Sequence, residues 1–121
     1  MMMFDEGHFG YDIDGACVVS HVNDPEISSL MLQDMINTLQ QLMHTHGVKS
    51  FVLDLENVEF LNSPCVGVLV AFLNIIKAYR GELALGHCSD SVDSLLQVAG
   101  LYDSLGVTGD FAQTVARLKC G

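Results

Sequence analysis

The chain has 121 residues, 50% of them hydrophobic and 17% charged, which is enough apolar material for one compact domain and too short a chain for two. With 15 acidic against 5 basic residues the net charge is -10, so the chain repels phosphate backbones and anionic lipid surfaces. No direct nucleic-acid or membrane binding is expected, and basic partners are favoured.

The longest apolar run, Cys65 to Leu73, is far short of the roughly 20 residues a membrane span requires. No basic segment followed by an apolar signal run opens the chain, so a cytoplasmic protein is expected. Cys17, Cys65, Cys88 and Cys120 are scattered without a CxxC pair. They indicate neither a zinc site nor a disulfide framework and read as reduced thiols in packing roles.

Residues 1–15 form an N-terminal edge-strand region. Phe9, Tyr11 and Ile13 alternate with Gly10 and Asp12, a period of two that predicts an edge strand turning at Asp14-Gly15. Ala16, Cys17, Val18, Val19 and Val22 predict an antiparallel partner, stopped at Asn23-Asp24-Pro25 because proline cannot continue a ladder. From Ser28 to Thr45, Leu32, Met35, Ile36, Leu39, Leu42 and Met43 recur at spacings of three and four, which predicts an amphipathic helix closed by His46-Gly47.

Phe51, Val52, Leu53 and Leu55, interrupted only by Asp54, read as a strand buried on both faces. A tight connector, Glu56 to Leu61, leads to Asn62-Ser63-Pro64, where Asn or Ser can cap a helix and Pro64 suits its first position. The helix, Pro64 to Tyr79, is apolar nearly all round in its first half. That surplus must meet either a neighbouring helix or a partner.

Arg80-Gly81 ends this helix, and Leu83 to Gly86 predict a further strand. Ser89-Asp90-Ser91 can cap a short helix carrying Val92, Leu95, Leu96 and Val98 and stopping at Gly100. Val107-Thr108 is a last short strand, and Asp110 with Gln113 makes a capping-box-like start for a terminal helix. The order implies an α/β fold, a single domain over residues 1–121 with a mostly parallel mixed sheet of about five strands and about four helices. Sites in such sheets lie beyond the carboxyl ends of the strands, where residues 56–64 fall.

A search for catalytic chemistry returns mostly negatives. The glycines are spread without GxGxxG or GxxxxGK[ST], so no nucleotide loop and no cofactor are expected. His44 and His46 cannot share a helix face and read as solvated; His8, His21 and His87 are isolated in sequence, so no metal is expected. Asp54, Glu56 and Glu59 read as a satisfied strand-end carboxylate and two solvated loop charges rather than a general acid and base. Ser63 has no GxSxG elbow around it, and an enzyme is not expected.

VLDLENVEFLNSPCVGVLV, residues 52–70, resembles the signature of the STAS domain family, of the anti-sigma factor antagonist type: a strand ending in Asp-Leu, an apolar Val-x-Phe, then an Asp-Ser-Ser/Thr-Gly-Leu segment opening a helix. The likeness runs from about Ala16 to Leu118, through Gly-Glu-Leu at 81–83, Ser-x-x-Val at 89–92 and a later Gly-Leu. It implies a STAS-like fold and a non-catalytic regulatory module that docks a serine kinase acting also as an anti-sigma factor. In that scheme the kinase phosphorylates Ser63 to break the complex, and a phosphatase resets it. A phosphate there would sit at the positive end of the helix, with its charge of about -2 on a contact surface.

The contact residues so implied are Glu59, Asn62, Ser63, Pro64, Cys65, Val66 and Gly67. Asn62, Pro64 and Cys65 stand where the family carries an acid, a Ser or Thr, and a glycine. The alternative is a non-phosphorylated scaffold module that self-associates through the central apolar helix into a homo-oligomer, with Ser63 only an N-cap worth about 1 kcal/mol.

Overall fold

The computed structural model describes residues 2–5 and 9–119. In chain order its elements are β1 (Met2–Asp5), β2 (Phe9–Asp14), β3 (Cys17–Val22), α1 (Ser29–Thr45), β4 (Ser50–Asp54), α2 (Ser63–Ala78), β5 (Glu82–Gly86), α3 (Asp90–Val98), β6 (Val107–Thr108) and α4 (Phe111–Lys119). The strands make one sheet ordered β1-β2-β3-β4-β5-β6, antiparallel from β1 to β3 and parallel from β3 to β6. This is the mixed, mostly parallel α/β architecture anticipated.

One strand was not foreseen. Phe9–Asp14 is not the sheet edge, because Met2–Asp5 pairs along it with Met2 opposite Ile13 and Asp5 opposite Gly10. Four residues are too few to display a period-two pattern. His8 and Cys120, read from the sequence as an isolated imidazole and a reduced thiol, lie outside the described residues.

β4 occupies the middle of the parallel half, and Phe51, Val52 and Leu53 are fully buried. Alternation sends Phe51 and Leu53 to the larger core, under α1, α2 and α3, and Val52 to a smaller core with Cys17, Val19, Ala84 and Leu118. The smaller core lies under α4, which crosses β3, β4 and β5 on the opposite face.

Ser28 caps α1 by accepting from the Met31 N–H, and Leu32, Met35, Ile36, Leu39, Leu42 and Met43 bury its apolar stripe. Gly47 follows the helix at φ 66°, the left-handed position a glycine takes without strain. α1 packs alongside α2 and covers part of its apolar surplus. Cys65, Val66, Leu69, Phe72, Leu73 and Ile76 of α2 are buried, and the Phe72 ring meets Phe51 edge-on at 5.2 Å. The exposed residues of α2 are Ser63, Pro64, Gly67, Ala71, Asn74, Lys77 and Ala78, with Val68, Val70 and Ile75 half-buried among them.

The predicted start of α4 is present: Asp110 Oδ1 accepts the Gln113 N–H at 3.0 Å. Phe111 then folds onto the sheet over Gly86, where an added Cβ would lie 2.5 Å from the ring. Gly86 is the position that lets α4 sit down at the carboxyl end of β5.

Candidate functional site

The carboxyl ends of β3, β4 and β5 and the connectors leaving them form one edge of the molecule. The connector from β4 to α2 is held at both sides. The Glu59 and Phe60 N–H groups both donate to the Pro25 carbonyl, at 2.7 and 3.1 Å, and the Glu59 carbonyl accepts from the Ser89 hydroxyl at 3.0 Å. Cys65 Sγ donates to the Ile27 carbonyl at 3.3 Å. Backbone groups that must find partners thus fasten this connector to those before α1 and α3.

At the head of α2 the capping residue is Asn62, whose Oδ1 accepts the Cys65 N–H at 2.9 Å. Ser63 is the first helical residue and Pro64 the second, so the hydroxyl of Ser63 does not serve as the N-cap. Glu59, Asn62, Ser63, Pro64 and Gly67 are exposed. Cys65 and Val66 are not: both point into the core because helical periodicity turns them toward the sheet, and burial pushes the Cys65 thiol pKa up. As contact residues these two are corrected; they anchor the first turn instead.

Four large apolar side chains are exposed among the described residues, Leu30, Phe60, Tyr79 and Val98. Phe60 is 54% exposed on the β4–α2 connector and Leu30 is 78% exposed at the start of α1. The sequence carried a signal for Phe60, an aromatic residue in a connector, but Leu30 fell inside a helical stretch and its outward position is visible only in three dimensions.

The second feature of this edge corrects the view of His21 and His87 as isolated. Register places His21 of β3 opposite Asp54 of β4, and Asp54 opposite Gly86 with His87 next. Asp54 Oδ2 lies 2.9 Å from His21 Nδ1, and Oδ1 lies 2.9 Å from His87 Nδ1 and 3.0 Å from the Glu56 N–H. Burial alone would raise the Asp54 pKa, but the bonds from His87, Glu56 N–H and His21 outweigh it and hold the carboxyl below its ordinary value. An ionised carboxylate only accepts, so each imidazole donates to it from a protonated Nδ1. Asp54 is the satisfied strand-end carboxylate expected, with partners that sequence spacing could not reveal.

The row continues onto β2. Asp12 Oδ2 is 3.9 Å from His21 Nε2, and Asp12 Oδ1 is buried without a hydrogen-bond partner among the described residues. A cavity of about 430 Å³ opens there, between β2, β3 and α4, lined by Asp12, Val19, His21, Phe111 and Val115 among others. Among the described residues no helix is long and apolar enough to cross a membrane.

With the fold and this edge described, comparison with known proteins is informative. The STAS domain model matches residues 12–118. The chain belongs to the STAS domain family. Its fold is shared by the anti-sigma factor antagonist SpoIIAA in its unphosphorylated form, with a TM-score of 0.80 and 16% identity over 93% of this chain and 97% of that one. The Bacillus cell fate determinant SpoIIAA in the phosphorylated form matches with a TM-score of 0.72 and 16% identity, over 90% of this chain and 97% of that one. An anti-sigma-factor antagonist (STAS) domain protein from Planctomyces limnophilus matches at 0.77 and 18%, over 94% and 99%. At such identities the likeness is one of fold. No curated protein sequence matches the chain.

Proposed function

We propose that the chain is a non-catalytic regulatory module of the anti-sigma factor antagonist type, docking a serine kinase that is also an anti-sigma factor, in the cytoplasm. The docking surface is the β4–α2 connector with the first turn of α2, from Glu59 through Gly67, completed by Phe60 and Leu30. Phosphorylation of Ser63 releases the partner, and a phosphatase restores the dephosphorylated state.

The observation that carries this reading is the division of tasks at the head of α2. Asn62 makes the cap, which leaves the exposed Ser63 hydroxyl open to a kinase without cost to the helix. Pro64 has no N–H and that of Cys65 is taken by Asn62, so a phosphate on Ser63 finds few backbone donors and stays in solvent. Its charge then lies on the proposed docking surface, where a docked partner must strip it of water. The existence of phosphorylated and unphosphorylated forms of SpoIIAA, a protein of this fold, supports the same reading.

The test is incubation of the protein with its host's serine kinase and ATP, followed by mass spectrometry and a binding assay. Phosphate on Ser63, and loss of kinase binding by Ser63→Asp at least tenfold, are the expected results. No phosphate on Ser63, or a Ser63→Asp variant that binds as well as wild type, removes the switch.

A further inference from the structure

We infer that Asp54, Glu56 and His87 bind a divalent first-row transition ion, zinc being the best match, with His21 as the residue that orients Asp54. A ligand atom from each of the three lies within 4.8 Å of the others. His87 Nδ1 and Asp54 Oδ1 are 2.9 Å apart. Two ligands with bonds of about 2.0–2.2 Å to one tetrahedral ion stand roughly 3.3–3.6 Å from each other. An ion can therefore take the place of the proton once the two side chains part by about half an ångström, which the exposed His87 ring allows.

The surroundings suit such an ion. Asp54 is held at a strand end, and its other oxygen takes the His21 Nδ1–H at 2.9 Å, the outer hydrogen bond that ligating carboxylates generally have. His87 is held at φ 56°, in the left-handed region that a side-chain-bearing residue seldom adopts, and its ring rests 4.5 Å from that of Phe111. Backbone strain of this kind gathers at functional sites. Glu56 is exposed, two residues beyond Asp54, and brings the second carboxylate. Two carboxylates neutralise a divalent ion, and the imidazole selects a borderline transition ion over magnesium or calcium.

The competing account is a pin, in which Asp54 merely ties the ends of β3, β4 and β5 together through two imidazoles. A pin has no use for the Glu56 side chain. Nor would a pin exchange the His87 Nδ1 proton for a metal, so these two features separate the accounts. As the metal takes Nδ1, the proton of the neutral ring passes to Nε2, so binding appears as a change of tautomer.

The experiment is titration of EDTA-treated, dialysed protein with Co²⁺ and Zn²⁺, read by Co²⁺ absorption and calorimetry, with long-range ¹H–¹⁵N spectra of the histidine rings. One ion per chain is expected, with His87 metallated at Nδ1 and His21 keeping its Nδ1 proton. Glu56→Gln should weaken binding at least tenfold while leaving the metal-free melting temperature unchanged, as its place in an exposed connector allows. His87→Ala should weaken it further, and the double variant His44→Ala/His46→Ala should bind as wild type does. The inference is overturned if Glu56→Gln binds with full affinity, if His87 is metallated at Nε2, or if binding disappears with His44 and His46. None of these outcomes depends on the phosphorylation of Ser63.

Discussion

His21 and Asp54 lie 33 residues apart in sequence and meet at 2.9 Å across β3 and β4. The contact follows from register, since parallel pairing sets the two residues side by side at the ends of their strands. It also shapes the response to acid. Although burial acts to raise the Asp54 pKa, the bonds from His87, Glu56 N–H and His21 leave it below the ordinary carboxyl value. A depressed carboxyl pKa contributes stability that is complete above the unfolded value and is lost as the pH falls through the folded one. In EDTA, the wild-type stability measured by urea unfolding should therefore drop more steeply than that of Asp54→Asn as the pH is lowered from about 5. Parallel curves would show that Asp54 contributes nothing to the acid limb.

The head of α2 separates capping from signalling. Asn62→Ala should lower the unfolding free energy by about 1 kcal/mol, whereas Ser63→Ala should stay within about 0.5 kcal/mol of wild type. Chemical denaturation of the two variants measures both. Equal losses would place the capping role on Ser63 after all.

Phe72 is fully buried against Phe51, with ring centroids 5.2 Å apart. Phe72→Ala should cost about 3–5 kcal/mol, since it removes a large apolar side chain where strand and helix leave little room to collapse. Phe60→Ala should change stability far less, because that side chain is exposed. Thermal unfolding of the pair distinguishes core from surface.

Burial pushes the Cys17 thiol up to about 11 and, with Asp93 adding to it, the Cys88 thiol up to about 12. Thiolates are the reactive form, so neither should alkylate with iodoacetamide at neutral pH in the folded protein. Peptide mass spectrometry should find Cys17, Cys65 and Cys88 unmodified until urea is added. Rapid native labelling of Cys88 would contradict its placement.

The elements that could be read from sequence are those whose pattern is local. The stripe from Leu32 to Met43, the apolar run of β4 and the caps at Ser89 and Asp110 each declare themselves within one or two turns of chain, and all are present. β1 was missed because its pairing partner, not its own composition, makes it a strand. The inward turn of Cys65 and Val66 was missed because a helix apolar on every side does not say which side meets the sheet. His21 and His87 were missed for a related reason: each is ordinary where it stands, and only the alignment of three strand ends makes them neighbours.

Phe111 over Gly86 has an implication for how the terminal helix is kept. A methyl group at position 86 would collide with that ring, so a Gly86→Ala change would push the Phe111 ring aside and disturb its packing against His87. The bare backbone at the end of β5 is thus the seat of the first ring of the last nine-residue helix, whose far end is held separately by Leu118 in the smaller core.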